Sequence, residues 1–176
     1  MKEQVIIAGF GGQGIIFAGQ VLAMSAMLEG YQVAMVSSYG AETRGGTVNV
    51  MLTISDQEID SPFIENADTL IIMNQPSLQR FENVLKTGGL LLVNSSLIKK
   101  KKLRKDIKIV KVPANEIAHR KVGHDLANMV MIGRYVKYKK IVKPQRVLEA
   151  LDKILLEKGK KELFQLNQKA FLAGMK

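Results

Sequence analysis

Gly9-Phe10-Gly11-Gly12-Gln13-Gly14 satisfies G-x-G-x-x-G and lies between two apolar runs. Glycines at this spacing permit a tight turn. They also let a phosphate approach backbone N–H groups at the positive end of a helix dipole. The same spacing serves close strand–helix packing or a subunit contact, so those uses stay open beside phosphate or cofactor binding. NAD(P) binding would further require an acid at the end of the second strand, to hold a ribose. Ser37-Ser38 stand there instead, and Glu42 falls a few residues later. A second unusual stretch, Ser38-Tyr39-Gly40-Ala41-Glu42-Thr43-Arg44-Gly45-Gly46-Thr47, flanks Glu42 and Arg44 with glycines. An acid and a guanidinium so placed orient a polar ligand or lock an interface. On a bare surface hairpin their ion pair is worth under about 1 kcal/mol.

Few other residues carry chemistry. His119 and His124 are separated by a turn, with no nucleophile or ligand companion nearby in sequence. Asn128 interrupts the apolar run Leu126-Ala127-Asn128-Met129-Val130. It either satisfies buried backbone groups, the commoner outcome, or faces a partner. The chain has no cysteine, which excludes disulfides, a thiol nucleophile and Cys-ligated zinc or iron–sulfur clusters within it. A cysteine-free chain suits a reducing, cytoplasmic setting. No residue pattern points to a catalytic side chain or a metal site in this chain.

The elements that must position these residues alternate between strand and helix. Gln4–Ala8 reads as a buried strand, and Ile15–Leu28 as a buried helix stopped by Gly30. Gln32–Val36, Thr69–Met73, Leu90–Val93 and Asp106–Val112 read as further strands. Thr47–Ile54 alternates apolar and polar residues, which predicts a half-exposed, antiparallel strand. A helix is expected from Pro76 to Lys86, stopped by Gly88-Gly89. Asn115–Arg120, Asp125–Tyr138, Pro144–Lys158 and Glu162–Ala173 read as helices. The pattern predicts one α/β domain over residues 1–176, layered and Rossmann-like, with a mostly parallel, mixed sheet flanked by helices. Ligands of such sheets bind outside the carboxyl ends of the strands. The segments leaving those ends are Gly9–Gly14, Ser37–Gly46, Asn74–Pro76, Asn94–Ser96 and Pro113–Asn115.

Composition narrows the class. The 176 residues are 47% hydrophobic and 24% charged, as in soluble globular proteins. No stretch approaches the roughly 20 apolar residues of a membrane span, and the start shows no signal-peptide pattern. The net charge of +10 is lopsided: the first 98 residues are acidic and the remainder strongly basic, densest at Lys99-Lys100-Lys101-Lys102. Such a run suits an acidic partner or a solvated loop. A nucleic-acid-binding module would want interleaved aromatics, which residues 95–110 lack.

Taken together, the motifs resemble the gamma subunit of 2-oxoacid:ferredoxin oxidoreductases. The resemblance rests on Ile7 to Gly14 with Ala18-Gly19, and on Ser38-Tyr39-Gly40-Ala41-Glu42-Thr43-Arg44-Gly45-Gly46. It continues through Ser61-Pro62, Asp68-Thr69-Leu70, Met73-Asn74-Gln75, Glu116-Ile117-Ala118, Ala127-Asn128-Met129-Val130 and Asn167 to Ala170. Ala41 stands where the family usually has proline, and His119–Asp125 departs from the usual turn. The resemblance implies a multichain, cytoplasmic enzyme that oxidatively decarboxylates a 2-oxoacid such as pyruvate or 2-oxoglutarate. Coenzyme A would be co-substrate and ferredoxin the electron acceptor. Alpha and beta chains, and in some complexes a ferredoxin-like delta chain, would be the partners. Thiamine diphosphate and iron–sulfur clusters would sit on those partners, with no cofactor held by this chain alone. The residues it would place at the coenzyme A or active-centre face are Gly11, Gly12, Gln13, Gly14, Ser38, Tyr39, Glu42, Arg44, Gly45 and Asn74. The wording Glu42 to Asn49 is most similar to the 2-oxoglutarate branch. The competing readings are a free-standing NAD(P)-dependent oxidoreductase and a nucleic-acid-binding module.

Overall fold

The computed structural model describes residues 1–40, 46–99 and 103–176. Its strands are β1 (Lys2–Phe10), β2 (Gln32–Tyr39), β3 (Thr47–Ser55), β4 (Ala67–Ile72), β5 (Leu85–Asn94) and β6 (Lys108–Val112). Its helices are α1 (Ile15–Leu28), α2 (Gln75–Phe81), α3 (Ala114–Val122), α4 (Ala127–Lys139), α5 (Pro144–Glu157) and α6 (Phe164–Gly174). The strands form one sheet in the order β2-β3-β1-β4-β5-β6. β1, β4, β5 and β6 run parallel, while β3 runs antiparallel to both its neighbours. This is the mixed, mostly parallel α/β architecture expected from the sequence.

β1 is the central strand, which explains its unbroken apolar run. Val5 and Ile7 face one core, and Ile6 and Ala8 face the other. The first core lies under α1, α3, α4, α5 and α6. The second lies under α2 and the loop residues Ile64 and Ile98. α1 is apolar almost all round because it is enclosed between the sheet and α5, with Val21, Leu22 and Ala26 fully buried. A methyl group on Gly19 would stand 2.8 Å from the Val50 side chain. Glycine at this position lets α1 lie close on β3.

Three expectations are corrected. β3 is buried on both faces rather than half-exposed: Asn49, Thr53 and Ser55 are buried along with its valines. The alternation of side chains is real, but the strand is interior, paired on both edges. The half-exposed strand is β2, at the sheet edge. The second helix stops at Phe81 instead of Lys86, and Leu85 begins β5 opposite Ala67. Arg104 explains this ending: its guanidinium donates to the carbonyls of Glu82 and Leu85 at 2.9 and 2.7 Å. Gly88-Gly89 is no helix stop. It lies inside β5 where the pairing with β4 shifts register, with Gly88 at φ 77°.

α4 and α6 pack with almost no side chain between them. A methyl on Gly133 would fall 2.1 Å from the Phe171 carbonyl oxygen, and one on Gly174 would fall 2.0 Å from that of Val130. Backbone cannot yield as a side-chain tip can, so Gly133→Ala should lose about 2 kcal/mol or more, at the upper end of overpacking costs. A lowered urea midpoint with an unchanged slope would show it. Arg104 also forks onto Asp106, at 3.0 and 2.6 Å, and this holds the Asp106 carboxyl down at about 2. A depressed carboxyl contributes stability above its ordinary value of 3.8 that disappears as pH falls through about 2. Arg104→Gln should therefore flatten that part of the acid-unfolding curve.

Candidate functional site

The glycine loop leaves the carboxyl end of β1, the point where the chain turns to β2 on one side while β4 lies on the other. That is the topological switch point of an open α/β sheet, where ligands bind. The loop is built by its own residues. The backbone N–H of Phe10 donates to Gln13 Oε1 at 2.7 Å, and the N–H of Gln13 donates to the Phe10 carbonyl at 3.2 Å. The Gln13 side chain is thus folded inward, closing the turn. The N–H of Gly11 donates to the Gly46 carbonyl at 3.1 Å, tying the loop to the residue before β3.

Gly14 is the N-cap of α1 and has φ 69°, a left-handed conformation that favours glycine. It offers no capping side chain, so no oxygen acceptor folds back over the first-turn N–H groups of α1. Its carbonyl accepts two hydrogen bonds, from the Ala18 N–H at 2.9 Å and from Asn128 Nδ2 at 3.1 Å. Asn128 therefore satisfies a backbone group, as its apolar setting suggested, and anchors the loop to α4.

The loop separates two clefts. On the helical side lies a cleft of about 470 Å3, lined by Gly12–Gly14, Phe17, Asn128, Lys158, Lys160 and Asn167 among others. On the strand side lies one of about 300 Å3, lined by Phe10–Gly12, Ile16, Phe17, Tyr39 and Val48. Tyr39 ends β2 with 69% of its surface exposed, an unusual position for a large ring.

Gly11, Gly12, Gln13, Gly14 and Tyr39 thus come together. Ser38 lies beside them on β2, exposed and opposite Asn49. Asn74 sits apart from them in role: it caps α2, its Oδ1 accepting from the Ser77 N–H at 2.9 Å. Its Nδ2 is buried without a partner. Glu42, Arg44 and Gly45 lie outside the described residues, as do Lys100, Lys101 and Lys102. His119 is on α3, and the left-handed Gly123 separates it from His124. Neither lines either cleft. Sequence reasoning missed Phe17, in the first turn of α1, and Lys158 and Lys160, which reach the loop only through packing of α5 on α1; Asn167 was visible only as a motif residue.

The other polar cluster is at the opposite end of the sheet. Glu3, 5% exposed, accepts from Thr69 Oγ1 at 2.7 Å and pairs with Lys139 Nζ at 2.8 Å. Burial raises the nearby Tyr135 hydroxyl well above its ordinary value, helped by the charges of Glu3 and Asp68. This cluster braces β1, β4 and α4. Among the described residues, no group of three or more acidic or histidine side chains could hold a metal ion. No described helix is long and apolar enough to cross a membrane.

The site the described residues define is an uncapped helix end between two clefts at the switch point of an α/β sheet. Comparison with known proteins gives it a family. The pyruvate ferredoxin/flavodoxin oxidoreductase family profile matches residues 4–176, and the chain belongs to that family. It is 35% identical to the 2-oxoglutarate synthase subunit KorC of Methanothermobacter marburgensis, over the whole length of both chains. Over 75% of its length it is 37% identical to the ketoisovalerate oxidoreductase subunit VorA of the same organism, matching 27% of that longer chain. Its fold superposes on the keto/oxoacid ferredoxin oxidoreductase gamma subunit of Geobacter sulfurreducens with a TM-score of 0.82, at 30% identity, covering 98% and 95% of the two chains. The chain is a gamma-type subunit of a 2-oxoacid:ferredoxin oxidoreductase. The free-standing NAD(P) enzyme and the nucleic-acid module find no support in these comparisons.

Two glycines test the loop. A methyl on Gly14 would stand 2.3 Å from Asn128 Nδ2, whereas one on Gly12 meets nothing within 4 Å, although its φ is 88°. Gly12→Ala should therefore cost only its left-handed strain, about 1–2 kcal/mol. Gly14→Ala should cost more. Pairing Gly14→Ala with Asn128→Ala should give back part of that excess, a coupling readable from a double-mutant cycle of urea unfolding.

Proposed function

We propose that this chain is the gamma subunit of a 2-oxoglutarate:ferredoxin oxidoreductase. That complex would convert 2-oxoglutarate, coenzyme A and two oxidised ferredoxins to succinyl-CoA, CO2, two reduced ferredoxins and a proton. The observation that carries the reading is the full-length likeness to a 2-oxoglutarate synthase subunit, with the glycine loop lying open at the sheet edge. Ketoisovalerate and pyruvate/ketoisovalerate subunits are similar to comparable degrees, so substrate choice rests on the partner chains.

The chemistry would be divided between chains. Thiamine diphosphate would supply the electron sink for decarboxylation, and iron–sulfur clusters the path to ferredoxin. With no cysteine in the sequence, the clusters belong to partner subunits. This chain would supply binding and closure. The exposed Tyr39 ring, the strand-side cleft and Ser38 would pack on a neighbouring alpha or beta chain. Glu42, Arg44 and Gly45 would complete that face, and Asn74 would brace it from the α2 side. Gly11–Gly14 would face coenzyme A. The basic second half would draw anionic coenzyme A and ferredoxin by long-range attraction, which salt screens.

Co-expression with chains encoded beside it, followed by tag pull-down, tests the reading. A brown complex should co-purify and reduce ferredoxin with 2-oxoglutarate and coenzyme A, and turnover should fall as ionic strength rises. Tyr39→Ala should lower the yield of assembled complex several-fold without unfolding this chain. Activity with pyruvate alone would move the assignment to another branch. A colourless monomer would overturn it.

A further inference from the structure

We propose that the groove between α3 and α6 docks an amphipathic helix with acidic flanks, presented by a protein partner. The groove shares no lining residue with the two clefts beside the glycine loop. Its walls are two helix faces. Ile117, Arg120 and Lys121 stand on α3 at spacings of three and four, and Lys169, Leu172, Ala173 and Lys176 repeat that spacing along α6 and just past its end. Arg134 of α4 completes the lining. It is brought there by its neighbour Gly133, whose lack of a side chain lets α4 meet the backbone of α6 at Phe171. The groove encloses about 380 Å3.

Floor and rim together define the occupant. Ile117, Leu172 and Ala173 form an apolar floor, with Leu172 41% exposed. The rim carries five cations, Arg120, Lys121, Arg134, Lys169 and Lys176, and the lining holds no acid. Among the described residues none of the five side chains enters an ion pair. α4 and α6 contain no acidic residue, and Glu116 of α3 lies off the lining. The main-chain oxygen of Lys176 is already engaged by Lys137 Nζ at 2.7 Å. Arg134 Nε is buried without an acceptor. Its guanidinium has thus lost part of its hydration, and attracts an anion more strongly than a solvated cation does. Unpaired like charges around an exposed leucine are unfavourable on a free surface. A partner bringing acids and apolar side chains together relieves both costs. A helix laid in the groove does so: leucine-like residues at i, i+4 and i+7 meet the floor, and Asp or Glu on either side reach the rim. The stretch from Lys169 to Lys176 rises about 10 Å, two turns of such a helix. Single-stranded nucleic acid would want rings to stack on, and the lining has none. A small anion would leave the floor in water.

Fluorescence anisotropy of the purified full chain with labelled synthetic helices tests this. The first peptide carries leucines at i, i+4 and i+7 between flanking glutamates. The second replaces those leucines with serine, and the third replaces the glutamates with lysine. The first should bind and gain helicity, and the other two should bind at least about tenfold more weakly. Arg120→Glu with Lys169→Glu should weaken the first peptide about tenfold or more, since two rim ion pairs are lost and two repulsions added. Lys105→Glu with Lys111→Glu makes the same change in net charge outside the groove and should leave binding within about twofold. Leu172→Ser should weaken it several-fold through the floor alone. All five positions are exposed, and the circular dichroism of each variant should match that of the parent chain. No binding, equal affinity for the serine peptide, equal losses in the two double variants, or tighter binding to phosphatidylglycerol vesicles than to the first peptide would each overturn the proposal. A concentration-dependent mass in sedimentation, abolished by the groove variant, would assign the groove to a second copy and overturn it likewise. Binding is read on this chain alone, so its failure leaves the 2-oxoacid assignment untouched.

Discussion

The contact between Asn128 and the Gly14 carbonyl joins the two halves of the molecule. Gly14 ends the turn that leaves the central strand, and Asn128 stands at the start of α4, 114 residues later. Their hydrogen bond spans the gap between the sheet's switch point and the helical layer. It works because Gly14 has no Cβ: any side chain there would occupy the space of the Asn128 amide. Both partners of that pairing line the helical-side cleft. The carbonyl that Asn128 engages is also the first acceptor of α1, so the tie also fixes the end of the helix that the clefts share.

The two clefts differ in character. The strand-side cleft is bordered by rings and branched apolar side chains, with Tyr39 standing out from the sheet edge. Removing such a ring from water on association is favourable at about 25 cal/mol per Å2. The helical-side cleft is bordered by lysines and amides together with Phe17, Leu126, Leu155 and Leu163. A single loop thus borders a mainly apolar cleft on one face and a cleft carrying lysines and amides on the other.

Much of this was legible in the sequence, and the failures have physical causes. The order and type of the elements followed from apolar runs punctuated by glycine and proline, and the mixed sheet from the alternation in Thr47–Ile54. That alternation misled about exposure because pairing on both edges buries polar residues such as Asn49 and Thr53. Periodicity reports side-chain direction and says nothing of what covers each face. The early stop of the second helix depended on Arg104, a residue 22 positions away from Glu82 in sequence. No local signal at Phe81 announces a distant guanidinium that takes the carbonyls of Glu82 and Leu85. The glycine loop was legible as a turn between a strand and a helix at the carboxyl end of the central strand. Its lysine neighbours, Lys158 and Lys160, were not, because they arrive from the end of α5 through tertiary packing.

The backbone-to-backbone meeting of α4 and α6 has an evolutionary corollary. Where helices are spaced by side chains, every core substitution shifts their separation by some fraction of a methyl group. Here Gly133 and Gly174 set the spacing by main-chain radii. The placement of Asn128 and Asn167 is thereby insulated from drift in the surrounding leucines, isoleucines and valines. Apolar side chains away from this contact should therefore tolerate exchange more readily than the two helix glycines.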